Sequence, residues 1–339
     1  MQHFRGHDGH IMREVKKLAL LFLLLMCIPI SSFPLGYIPS GEKISVSLLL
    51  KGKSPDNDFE SVIIPLKRTG RLFLIEAVID GEEGNLVFDT GAIGLVLNKT
   101  YFRNHTASFK GTAGGVTGSG NQISTTVAAR MELSGIRYDK TDADMASLGH
   151  IEDRRGVKIL GLFGVDLLTS MEIIFDAAHN ELRLSKLDNK GNPLGTSGRD
   201  FKFDFTEKLE MPGSVMIIKA TIAEKELSFC LDTGAEINVV HYSLPKKVLS
   251  TIDINKRSNI SGSGSGSAKA LYGVMYDLQF GKHQFGTMDA AIINLTSMSE
   301  AYGCNIDGML GFDFWQKGVF CINFKKRQIS FKAVKGEKE

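Results

Sequence analysis

The chain has 339 residues, of which 43% are apolar and 23% charged, and its net charge is only +2. That balance excludes a disordered chain and gives no electrostatic case for binding nucleic acid. The 36 glycines and 21 phenylalanines suit a β-rich, turn-rich protein long enough to fold without disulfide staples.

At the N-terminus, Arg13, Lys16 and Lys17 precede the apolar run Leu18–Ile30, and Ser31-Ser32 follows. Basic, then apolar, then small is the order of an export signal, and Met12 makes a more typical start than Met1. The run is shorter than the roughly 20 residues of a spanning helix. Residues 1–32 are therefore expected to be a signal peptide or an uncleaved N-terminal anchor. Either way the protein is expected to be exported, to the periplasm or outside the cell, with the membrane touched only through that segment. Residues 33–58 form a lead-in, in which Ile44–Leu50 is a candidate edge strand.

A first unit is expected over 59–186. Leu72–Ile79 reads as a strand, Asp80-Gly81 as a hairpin turn, and Asn85–Phe88 as a second strand running into Asp89-Thr90-Gly91-Ala92. A short helix is expected near Asn98–Asn104. The Gly-rich stretch Gly111–Gly120 comes next, then the apolar-Gly segment Ile159–Asp166, then paired strands Glu172–Asp176 and Glu181–Ser185. Residues 187–200, polar and holding Gly191, Pro193, Gly195 and Gly198, read as a linker.

The second unit, 201–335, repeats the order. Val215–Ile222 is the strand, Ala223–Lys225 the turn, and Leu227–Leu231 the strand running into Asp232-Thr233-Gly234-Ala235. Gly-rich Ser261–Ser267 follows, then Ile306–Asp313, then Val319–Asn323 with Gln328–Lys332. The chain thus reads as two copies of one unit, each carrying an Asp-Thr-Gly-Ala motif after an apolar strand.

A two-fold-symmetric fold would bring Asp89 and Asp232 face to face. Two carboxylates a few ångströms apart cannot both ionise easily, so one keeps a proton at mildly acidic pH. The ionised member can then take a proton from water while the other polarises a carbonyl. The Thr90 and Thr233 hydroxyls can hydrogen-bond backbone of the opposite motif, and Gly91 and Gly234 let the backbone pass close to the carboxylates. The Gly-rich stretches, with Gly114 and Gly115 in the first and Gly262 and Gly264 in the second, are candidate flaps over an extended peptide or plain surface loops. Asp166 and Asp313, at matching positions, read as helix caps or loop braces. Cys230 is expected to be a buried free thiol, and a Cys304–Cys321 disulfide is left open. No metal-ligand spacing stands out, so neither metal nor cofactor is expected.

These paired motifs, each followed by a Gly-rich hairpin and an apolar-apolar-Gly segment, resemble the retropepsin-like aspartyl proteases of bacteria, with two units fused in one chain. The resemblance covers nearly all of residues 60–332. It implies an all-β, bilobal, pseudo-two-fold acid-protease fold of the pepsin and retropepsin kind, with few short helices. It also implies an aspartic endopeptidase, expected as a monomer acting on a peptide or protein, whose Asp89 and Asp232 share a water and a proton. The alternative is an exported peptide-binding protein of the same fold without turnover. Dense pepsin-style disulfides and an obvious flap-tip tyrosine are lacking, which sets it apart from pepsin.

Overall fold

The computed structural model describes residues 28–29, 52–106, 108–115, 118–195, 201–261 and 267–334. Most of the expected signal or anchor, the candidate strand Ile44–Leu50, the end of the linker, and Gly262 and Gly264 lie outside the described residues.

The first lobe grows from the hairpin predicted around Asp80-Gly81. In Leu72–Ile79 the second half alternates, with Ala77 and Ile79 buried while Glu76 and Val78 face outward. Asp80 (φ 50°) and Gly81 (φ 89°) make the tight turn into Glu82–Phe88. In the second lobe Ala223 (φ 50°) and Glu224 (φ 61°) hold the same left-handed turn without glycine, and Asp277 accepts the Ala223 amide at 2.9 Å. The strand order in the first lobe runs 108–115, 118–133, 136–146, 95–98, 159–163, 82–88, 72–79. Strand 118–133 also pairs with 72–79 and so curls the sheet over the lobe's core. The second lobe has the corresponding order 252–261, 267–275, 288–293, 238–241, 308–310, 225–231, 217–222.

Inside each lobe the apolar-Gly segment is a strand held between the two arms of the loop that carries the aspartate. Ile159–Phe163 pairs in parallel with Glu82–Phe88 and antiparallel with Leu95–Asn98. Gly308–Leu310 does the same between Lys225–Leu231 and Asn238–His241. The short helix expected near Asn98–Asn104 is present at Lys99–Phe102, capped by the buried Asn98 side chain; a further one covers Phe312–Trp315, and a single 3-10 turn covers Val165–Leu167.

The strand pairs that close each unit join the lobes. A six-stranded antiparallel sheet runs 61–69, 181–186, 171–176, 318–323, 328–333, 205–208. Its centre is the cross-lobe pair of Met171–Asp176 with Gly318–Asn323, with Ile174 opposite Cys321. Aromatic side chains over this sheet fuse the cores. Phe73 lies 4.9 Å from Phe175 and 5.4 Å from Phe312, and Phe175 lies 5.4 Å from Trp315. The fold is therefore mostly β, bilobal and pseudo-symmetric, as the resemblance implied. In the linker the Asp188 carboxylate accepts the amides of Lys190 and Asn192 and closes a turn.

Cys230, Cys304 and Cys321 are all free thiols. Cys304 packs on the apolar cluster that contains Cys230 and Ile217, whereas Cys321 packs with Ile174 and Val319, so the Cys304–Cys321 disulfide left open by the sequence is not formed. Among the described residues no helix is long and apolar enough to cross a membrane. No group of His, Cys, Asp and Glu among them could hold a metal ion.

Candidate active site

Asp89 and Asp232 stand where strands 82–88 and 225–231 end against the lobe boundary. Each is fastened to the strand threaded beneath it: the Asp89 amide donates to Phe163 O at 3.1 Å and the Asp232 amide to Leu310 O at 3.0 Å. Both side chains are buried.

The threonines lock the two loops together. The Thr90 hydroxyl donates to Leu231 O at 3.1 Å and accepts the Thr233 amide at 3.0 Å. The Thr233 hydroxyl donates to Phe88 O at 2.7 Å and accepts the Thr90 amide at 3.0 Å. All four bonds cross the boundary and each lobe mirrors the other, so the two aspartates are referred to one rigid frame.

The glycines bring the carboxyl groups together. A Cβ on Gly91 would lie 2.6 Å from Asp232 Cγ, and one on Gly234 would lie 2.6 Å from Asp89 Cγ. Only glycine leaves this space free. Asp89 Oδ1 accepts the amides of Gly91 at 2.9 Å and Ala92 at 3.1 Å, and Asp232 Oδ1 accepts the Gly234 amide at 2.8 Å. Asp89 Oδ2 is buried without a protein N–H donor. The Asp232 carboxyl stands beside it, since each carboxyl group lies against the glycine of the other motif.

Electrostatics favours a proton on the pair. Burial, then the Asp232 charge, pushes the Asp89 carboxyl well above the ordinary carboxylate range. Burial also raises Asp232, but Asp89 and the amides of Gly234, Ala235 and Gly91 oppose the rise. The pair thus holds one proton between its two members.

Other residues from the sequence reading find places around this centre. Asp313 accepts the Asp289 amide at 2.8 Å and lies 3.3 Å from the Arg71 guanidinium of the opposite lobe. Burial raises the Asp166 carboxyl, and the Ser214 hydroxyl across the boundary opposes the rise. Both aspartates are loop braces. Gly114 and Gly115 end strand 108–115 of a long hairpin with 118–133, whose outer edge pairs with Ile28–Pro29. This strand approaches the helix Thr296–Tyr302 of the second lobe. Strands 252–261 and 267–275 flank the second candidate flap.

The sequence reading does not single out Arg71, Ser214 or Glu236. One signal was available for Glu236: it follows the second Asp-Thr-Gly-Ala directly, where Ile93 follows the first. Glu236 is fully buried and pairs with Arg155 of the first lobe.

Two β lobes thus present facing Asp-Thr-Gly loops across a shared frame. Residues 218–314, most of the second lobe with Asp232 inside it, match the family model described as "Aspartyl protease". That match bears out the resemblance drawn from the motifs. The chain is similar to the crystal structure of basic 7S globulin from soybean, with a TM-score of 0.47 and 9% identity, covering 82% of this chain and 96% of that one. It is likewise similar to the aspartic proteinase from Irpex lacteus, with a TM-score of 0.47 and 11% identity, covering 81% and 98%. A comparison with curated proteins gives no match.

Proposed function

We propose that the protein is an exported aspartic endopeptidase, monomeric and free of cofactor, that hydrolyses peptides bound extended between the lobes. The observation that carries this reading is the close, buried pairing of the Asp89 and Asp232 carboxyl groups across Gly91 and Gly234. The basic, apolar and small residues of 1–32 support export.

In the proposed reaction the ionised member of the Asp89–Asp232 pair takes a proton from water. The water oxygen bonds to the scissile carbonyl carbon, while the protonated member gives its proton to the carbonyl oxygen. The resulting diol collapses as the C–N bond breaks. The member that took the water's proton returns it to the leaving nitrogen, and the other recovers one from a diol hydroxyl. Every group ends as it began, and the rigid threonine frame spares reorganisation during the two transfers. The peptide-binding reading without turnover draws no support from a pair that is intact in both members.

The test is hydrolysis of a broad peptide library by the wild type, Asp89→Asn and Asp232→Asn, each checked by thermal melting. Wild-type cleavage lost in both folded variants is expected. Substantial turnover in either variant, or none in the wild type across the acidic and neutral range, would overturn the reading. Sequencing the N-terminus of the mature protein tests export and removal of the leader.

A further inference from the structure

The frame around the two aspartates is symmetric, but what braces it from outside is not. Thr90 and Thr233 are 143 residues apart, and the same spacing relates Arg71 to Ser214 and Ile93 to Glu236. The helix Gly149–Arg155 ends at Gly156 (φ 65°) and the helix Thr296–Tyr302 at Gly303 (φ 63°), so Arg155 and Tyr302 occupy matching positions. On one side of the pair, therefore, stand Arg71, Arg155 and Glu236. On the other stand Ser214, Tyr302 and Ile93.

The charged side is tied across the lobes. The Arg155 guanidinium hydrogen-bonds Glu236 Oε1. It reaches there past Gly70, where a Cβ would lie 2.2 Å from its Nη1. Arg71 donates to the Glu236 backbone oxygen at 3.2 Å and pairs with Asp289 at 2.6 Å. Glu236 lies four residues past Asp232 on the same loop, and Phe312 N fastens the intervening Ala235 O at 2.9 Å. Tyr302, by contrast, packs within its own lobe against the cluster of Cys230 and Ile217.

We propose that Arg155 and Glu236 are a positioning pair, a one-sided latch through which the first lobe sets the placement of the Asp232 loop. Arg155 Nε and Glu236 Oε2 are both buried without a hydrogen-bond partner, so the pair is held through one contact. A buried pair satisfied through one contact adds little to folding and loses much when one member is removed. The groups that face Glu236 are Arg155, Arg154 and Arg71, with Asp289 and Asp313 behind Arg71. Burial pushes the Glu236 carboxyl up and the three arginines hold it down. Without Arg155, Glu236 takes up a proton more readily, and the loop loses both its tether and a fixed charge.

The latch itself does not depend on the proposed function; its kinetic consequence does. Two readouts on the full chain separate them. In amide hydrogen exchange, Arg155→Met is expected to speed exchange at Gly234, Ala235 and Glu236 roughly tenfold or more while leaving Gly91 and Ala92 unchanged. Arg155→Lys, which keeps the charge without the fork, is expected to fall between and serves if the Met variant does not fold. Unchanged exchange at the Asp232 loop, or equal acceleration in both loops, would overturn the latch whatever the activity. In peptide kinetics, Arg155→Met is expected to lower kcat roughly tenfold with KM within about twofold. It should also add an ionisation to the pH profile that the further change Glu236→Gln removes. A kcat and profile like the wild type's would overturn the positioning role. A wild type that cleaves no peptide would end the proposed function while exchange still decides the latch.

Discussion

Gly91 stands so close to Asp232 that a methyl group on its Cα would lie 2.6 Å from the Asp232 carboxyl carbon, and Gly234 stands in the same relation to Asp89. Each lobe thus shapes the place of the other lobe's carboxyl group. Gly91→Ala must push Asp232 away by close to an ångström, because the frame of Thr90 and Thr233 does not let the loop retreat. A misplacement of that size costs about a hundredfold in rate. The expected outcome is a folded Gly91→Ala protein with kcat down by about that factor, checked by single-turnover peptide hydrolysis beside circular dichroism. Activity near the wild type's would mean that the carboxyl groups need not stand as close as they do here.

The raised carboxyl groups make a stability prediction that needs no substrate. In the unfolded chain Asp89 titrates near pH 4, whereas in the folded protein it holds its proton to higher pH. The folded state then binds more protons than the unfolded one above that range, so stability falls as pH rises through it. Below it both states are protonated and nothing is lost. Asp89→Asn cannot ionise and keeps the acceptor facing the Gly91 and Ala92 amides. Its melting temperature should exceed the wild type's by several degrees at pH 7 and converge with it near pH 3. Equal melting at both pH values would show that the pair does not retain a proton on folding.

The pH optimum follows from what the fourth motif position lacks. Ala92 and Ala235 are both buried beside the pair, and a methyl group cannot hydrogen-bond an ionised carboxylate as a serine or threonine hydroxyl would. The lower titration of the pair is therefore not pulled toward strong acid. A rate maximum at roughly pH 5 to 6 is expected, in line with the general contrast between pepsin and a viral protease. Ala235→Ser should move the acid limb downward. A wild-type profile that peaks below about pH 3 would contradict the argument.

Much of this site is legible in the sequence because its chemistry is local. Asp89-Thr90-Gly91-Ala92 and Asp232-Thr233-Gly234-Ala235 announce themselves as short motifs behind apolar strands, and Leu72–Ile79 shows its alternation. The partners of Asp166 and Asp313 are not legible. Each lies on the opposite lobe, at Ser214 and Arg71, and only the tertiary fold brings these positions together. Arg155 and Glu236 escape for the same reason, since a charged residue at the end of a surface helix usually reads as solvated. The closing strands are read correctly as pairs, yet alternation within a pair does not say which further strand lies beside it. The joining of 171–176 to 318–323 is a property of the whole chain.

That joining decides what happens when the chain is cut. Apolar strands in each unit would suit lobes that fold alone. The structure instead shows one aromatic core across both, where Phe73 and Phe175 pack on Phe312 and Trp315, and a sheet whose central pair crosses the boundary. A chain severed after Gly195 would expose the edge of 171–176 in one half and of 318–323 in the other. It would also leave the Thr90 and Thr233 hydroxyls without their carbonyls, bonded only to water. Neither half alone is expected to melt cooperatively or to hydrolyse peptide, and folding the halves together is expected to restore both. The check is calorimetry and peptide hydrolysis on each half over a concentration series, then on the mixture. A first half whose rate grows as the square of its concentration would show that it pairs with itself through Asp89. A half active in proportion to its concentration would mean that the chemistry does not need an aspartate from each lobe.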